Sequence, residues 1–179
     1  MPRYIAFFGS LNVGSANRVA MADLRHAFER EGLENVETVV ASGNLLFDFE
    51  DRPTDGIEDM LAWVLSDRFD IESFAAVRSR DEVRQAIEDN PFVSNGDEGK
   101  VHTLFLSAQP DPAAFAKLQA DHARRGPERL ASGDRALYID YIEGAGNSRL
   151  TNAFIERRLG CKGTARNVRS LRRILAKMD

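Results

Sequence analysis

The chain has 179 residues, 43% of them hydrophobic and 29% charged, with a net charge of −4 and one cysteine. That length buries a core without a metal or a disulfide, and a single cysteine excludes any intramolecular disulfide, as suits a reducing compartment. The opening Met1-Pro2-Arg3 and the short apolar stretch Tyr4 to Phe8 are unlike a signal peptide, and no apolar run approaches the roughly 20 residues that span a bilayer, so a cytoplasmic protein is expected.

In chain order, residues 3–8 (RYIAFF) predict a buried strand, closed by Gly9 and Ser10. The polar loop LNVGSAN follows. A helix is expected from about Arg18 to Glu31, with Met21, Leu24 and Phe28 at helical spacing and Gly32 as its terminator. Residues 36–41 and 45–49 read as two strands joined by a tight turn at Ser42-Gly43-Asn44. A second helix spans about Asp55 to Arg68, and residues 73–78 form a fourth strand. The order β-α-β-β-α-β is that of the ferredoxin-like split βαβ arrangement.

Ser79 and Glu82 then match a capping box that opens a linking helix, which Asn90-Pro91 stops. The polar loop at 94–99 is the best internal boundary. The second half repeats the order. It has a strand at 101–107, a helix capped by Asp111 with Pro112 at its first position, strands at 128–132 and 135–142, and a loop at 143–147. A helix at 148–159, a short strand at 161–165 and a last helix capped by Asn167 complete it. The expected organisation is α+β: two ferredoxin-like halves with antiparallel sheets, at 1–79 and 100–179, joined by a linking helix and loop at 80–99.

The charge is uneven. From Arg149 onward nine basic residues face only Glu156 and Asp179, a balance of +7, so residues 1–148 carry −11. A basic segment on an acidic body suits an anionic ligand or nucleic acid, docking on the body, or a solvated helix face.

Standard catalytic motifs are absent. Gly144-Ala145-Gly146 lacks the context of a nucleotide loop, and His26, His102 and His122 lie in three different elements without metal-ligand spacing. No cofactor or metal is expected. His26 and His122 read as helix-surface residues. Cys161 has Arg157, Arg158 and Lys162 nearby, which would lower its pKa, but no base accompanies it.

Three polar clusters remain. The first is the loop with Asn12, Gly14, Asn17 and Arg18, at a helix N-terminus, where free N–H groups favour an anion. The second is Ser42, Gly43 and Asn44. In a βαββαβ unit strands 1 and 2 run the same way, so these first two clusters lie at one end of a sheet. The third joins Thr151, Asn152 and Glu156 to Thr164, Arg166 and Asn167. Arg166 stands just before a helix, where it could grip a carboxylate or phosphate bidentately, or pair with Glu156.

These clusters carry a family resemblance. The segment FFGSLNVGSANRVAMADLRHAFEREGLENVETVVASGNLLF resembles the opening of the bacterial domain-of-unknown-function 1697 family, L-L-R-G-I-N-V-G-G, N, M-x-x-L, G-F-x-x-V and S-G-N-V-x-F. The C-terminal TNAFIERRLGCKGTARN resembles the family's T-N-x-x-I-E-x-x-L-G-x-x-x-T-x-R-N. The resemblance implies an α+β fold with ferredoxin-like parts and an unassigned role. In two places this chain departs from the pattern: Gly9 stands where the family has arginine, and Val168 where it has an aromatic residue.

The functional reading is a protein that binds a small anionic ligand, or an enzyme on such a ligand with Glu156 as acid or base. Nucleic-acid binding through the basic C-terminal segment is the second reading, and an interaction scaffold without a small ligand is the third.

Overall fold

The computed structural model describes residues 1–9 and 19–179. It divides into two compact units, Met1–Val83 with Arg173–Asp179, and Arg84–Arg172.

In the first unit, β1 (Arg3–Phe8) is followed by α1 (Met21–Glu29), β2 (Glu34–Val39), β3 (Ala41–Asp48), α2 (Thr54–Phe69) and β4 (Ala75–Ser79). The sheet order is β2-β3-β1-β4, and each neighbouring pair is antiparallel. This is the order of the split βαβ arrangement. Alternation along β1 sends Tyr4, Ala6 and Phe8 into a core with Leu24 and Phe28 of α1 and Ile57, Leu61 and Leu65 of α2. Ile5 and Phe7, on the other face, are fully buried too. Burial on both faces explains why RYIAFF is an unbroken apolar run instead of an alternating one.

Helix α3 (Arg80–Asp89) contains the boundary between the units, after Val83. The capping box forms as expected: Glu82 N donates to Ser79 Oγ at 3.2 Å, and Ser79 N donates to Glu82 Oε1 at 3.0 Å.

The second unit repeats the topology with β5 (Val101–Leu106), α4 (Pro112–His122), β6 (Arg129–Gly133), β7 (Ala136–Asp140), α5 (Asn152–Leu159) and β8 (Gly163–Asn167), followed by α6 (Val168–Met178). A short 3-10 turn at Ala145–Asn147 precedes α5. The sheet order is β6-β7-β5-β8, again antiparallel throughout. Leu104 and Leu106 pack with Leu118, Ile155 and Leu159. The expected α+β layout with two four-stranded antiparallel sheets is therefore present.

Local details differ from the sequence reading. Helix α1 starts at Met21 with Ala20 in the cap position. Asp111 holds the cap position of α4 but makes no side-chain cap bond. The helix expected over 148–159 begins only at Asn152, because Thr151 caps it. The final strand is shifted two residues onward, to Gly163–Asn167.

The chain reversal expected at Ser42-Gly43-Asn44 occurs at Val40 instead. Val40 has φ 67°, and Val39 faces Ala41 across the reversal. The next paired residues are Thr38 and Leu45, so residues 42–44 form a bulge within β3.

Candidate functional site

Asn12, Gly14, Asn17 and Arg18 lie outside the described residues. Ser42, Gly43 and Asn44 form the β3 bulge. The Asn44 side chain is 1% exposed and its Nδ2 donates to Val39 O at 3.2 Å. That bond ties the bulge to the end of β2, so Asn44 has a structural task.

The C-terminal cluster separates into cap residues and a strand-end group. Thr151 is the N-cap of α5, its Oγ1 accepting from Phe154 N at 3.2 Å. Asn152 is exposed on the first turn. Asn167 caps α6, its Oδ1 accepting from Ser170 N at 2.8 Å, as the sequence predicts. Glu156 Oε2 accepts from Gly163 N at 3.2 Å, which anchors the start of β8 to α5. A carboxylate with this backbone bond is a clasp for the strand.

Arg166 occupies the fourth of the five positions of β8, directly before the cap of α6. Its Nη1 donates to Thr164 Oγ1 and to Ala165 O, both at 2.8 Å. Burial pushes the Arg166 guanidinium down to about 10. Desolvation of a cation disfavours its charged form.

The register sets Arg166 opposite Thr103 of β5, and Thr103 opposite Tyr138 of β7. The three positions therefore lie on a single face of the sheet, with Thr164 two residues along β8, while the Tyr138 ring and hydroxyl lie over Gly133 of β6. Thr103 is 0% exposed. Its Oγ1 has no hydrogen-bond partner among the described residues. Burial raises the Tyr138 hydroxyl to about 12, and the charges of Asp89 and Asp134 add to the rise.

The first unit holds a counterpart. Arg78 is fourth of five in β4, directly before the Ser79 cap, and stands opposite Ile5 of β1. Arg78 is 3% exposed and its Nη1 donates to Glu58 Oε2 of α2 at 2.7 Å. The same carboxylate oxygen accepts from Val77 N at 2.8 Å. The two arginines share a position in the fold, and among its contacts there Arg78 has a buried carboxylate.

Several sequence expectations are corrected. His122 is buried, not on a helix surface, with Nε2 at 3.0 Å from Glu128 O. Burial pushes the Cys161 thiol up, and Glu156 adds to this, opposite to the lowering expected from its basic neighbours. Burial lowers the His102 pKa, its ring standing edge-on to Tyr141 at 4.9 Å. Two arginines at the start of α6 are matched within the second unit, where Arg172 binds Glu98 at 3.0 Å and Arg169 lies 3.8 Å from Asp97. Among the described residues no group of three or more His, Cys, Asp or Glu is placed to hold a metal ion. No helix among them is long and apolar enough to cross a membrane.

A family model described as "Protein of unknown function (DUF1697)" matches residues 1–138. Among solved structures, the chain is similar to the conserved bacterial protein SP0830 from Streptococcus pneumoniae, at 20% identity and a TM-score of 0.72, covering 99% of each chain. At that identity the likeness shows the fold alone. No curated protein matches the chain.

Proposed function

This chain belongs to the DUF1697 family, a family of unknown function, and from that premise we propose that it is a cytoplasmic protein that binds a small ligand through a phosphate or carboxylate group at the end of β8. The observation that carries this reading is Arg166. It is a half-buried guanidinium at a strand end, beside the N-terminus of α6, contacting Thr164 Oγ1 and Ala165 O. A planar guanidinium suits bidentate recognition of an oxyanion. The basic segment of the sequence is not used as a nucleic-acid surface in this reading, because Arg172 and Arg169 already face Glu98 and Asp97.

Glu156 is assigned no acid or base role, because its carboxylate holds the backbone of Gly163. The reading is therefore one of binding, and any chemistry would come from groups other than this carboxylate.

The test is a thermal-shift screen of the purified protein against phosphorylated metabolites, nucleotides and small carboxylates. A ligand at a hundred times its Kd stabilises the folded state by about 2.7 kcal/mol, which for a chain of this size is a rise of roughly 5–10 °C. The Arg166→Gln variant should fold and lose that rise. A ligand response retained by Arg166→Gln, or no response from the wild-type protein to any of these compounds, refutes the reading.

A further inference from the structure

We propose that one corner of the second unit's core is a binding pocket for a small uncharged molecule with a single ring. A cavity of about 130 Å³ lies there, open on one side and lined by residues of the second unit alone. It stands on the sheet face opposite to Arg166. Leu106 lines it, Leu106 and Thr103 are three positions apart on β5, and Arg166 pairs with Thr103. The proposal is therefore independent of the reading of Arg166.

Local structure explains why the corner is unfilled. Leu106 ends β5, and Ser132 of β6 stands opposite Leu137 of β7. Above them lie only the start of α4, with Phe115 on its first turn, and the end of α5, with Leu159 as its last residue. Gly160, at φ 74°, then terminates α5, so no further helical turn covers the corner. The residues beneath are small as well. Ser132 and Ala136 line the cavity, and Gly163, opposite Leu106 on β8, has no side chain. The rim is nevertheless held in place. Gln109 Nε2 donates to Gly133 O at 3.3 Å, and Gln109 Oε1 accepts from Arg135 N at 2.6 Å, so both ends of this amide engage the β6–β7 turn.

The lining selects the ligand. Leu106, Ala136, Leu137 and Leu159 are buried and form the floor, while Gln109 and Ser132 are exposed at the rim. None of the described lining residues is charged. A charged group seated on this floor would lose its hydration with no counter-charge in return, so the ligand is uncharged. Size sets the rest. A cavity of ~150 Å³ lined by Leu, Ile and Phe takes up benzene, so the volume here suits one six-membered ring and is too small for two fused rings. A hydroxyl on that ring would point to the rim, where Ser132 and water meet it.

The test titrates phenol and 2-naphthol into the full chain and follows the leucine methyl resonances by NMR. Phenol should shift the methyls of Leu106, Leu137 and Leu159 saturably, through the ring current, and 2-naphthol should leave them in place. Adventitious binding to apolar surface would give the reverse order, since the larger ring system is the more apolar. Ser132→Leu, made at an exposed position, points a leucine into the same space. It should melt at or above the wild-type temperature without ligand and bind phenol at least about tenfold more weakly, because ligand and leucine would overpack the cavity. Methyls unmoved by phenol overturn the proposal, as does 2-naphthol shifting them as strongly as phenol. A folded Ser132→Leu variant that binds phenol like wild type also overturns it. Should that variant not fold, the two probes on the wild-type protein decide the matter alone.

Discussion

Removing the Glu58 carboxylate should cost the first unit about 4 kcal/mol of stability. Glu58 and Arg78 are both almost fully buried, their side chains 6% and 3% exposed. One oxygen, Glu58 Oε2, accepts from Arg78 Nη1 at 2.7 Å and from Val77 N at 2.8 Å. In Glu58→Ala the guanidinium keeps its charge and loses its counter-ion in a place water does not reach. Breaking a buried pair in this way typically costs about 3–5 kcal/mol. The loss of the acceptor for Val77 N contributes to the same figure, since unmet buried donors cost about 1–3 kcal/mol alone and such terms are not additive. Glu58→Gln keeps an acceptor for the backbone and should cost less, roughly 2 kcal/mol. Replacing both partners by methionine removes the charge and its partner together and should recover most of the loss. Urea denaturation followed by tryptophan fluorescence reads this directly, because the single tryptophan, Trp63, lies on α2 with Glu58. A Glu58→Ala variant within about 1 kcal/mol of wild type, or a double variant worse than the sum of the singles, would refute the assignment of this pair as a mutually compensating buried contact.

Gly133→Ala should destabilise the second unit by about 1–3 kcal/mol, because a Cβ there would stand 2.6–2.8 Å from the ring and hydroxyl of the buried Tyr138; the shift in the urea midpoint measures it, and an unchanged midpoint would show that the ring can move aside. Asp48 gives a pH-dependent prediction. Burial alone would raise its pKa, but hydrogen bonds from Asn35 and Arg3 more than offset this and leave it lowered. A folded pKa below the unfolded one, about 3.9, means stability that is complete above that value and lost as pH falls through the folded pKa. The stability gap between wild type and Asp48→Asn should therefore close on acidification below about pH 4, as read from urea midpoints across pH. A gap that stays constant there would remove Asp48 from the acid response.

The element order was legible in the amino-acid sequence because its signals are local. Alternating and continuous apolar runs, the Ser79–Glu82 capping box and the Asn167 cap each depend on residues a few positions apart, and each forms as read. The polar residues at Thr151 and Asn167 were visible for the same reason, although two of the tasks found for them are to cap helices. The reversal at Val40 was not legible. A β-branched residue at φ 67° is unfavourable by itself, and Ser-Gly-Asn is the better turn sequence; cross-strand pairing of Thr38 with Leu45 and the Asn44 bond to Val39 O override that preference.

Composition and motif could single out Arg166 but could not supply its neighbours. Thr103 lies 63 residues before Arg166 and 35 before Tyr138. Only strand pairing brings the three positions onto one face of the sheet. The same holds for Glu58 and Arg78, which 20 residues separate in the chain and a single carboxylate oxygen joins in the fold. The sequence by itself determined the elements, their order and the polar ends of the strands, because short-range periodicity and capping decide those. Tertiary structure decided which buried polar groups meet and which are left without a partner, because desolvation and register are properties of the packed chain.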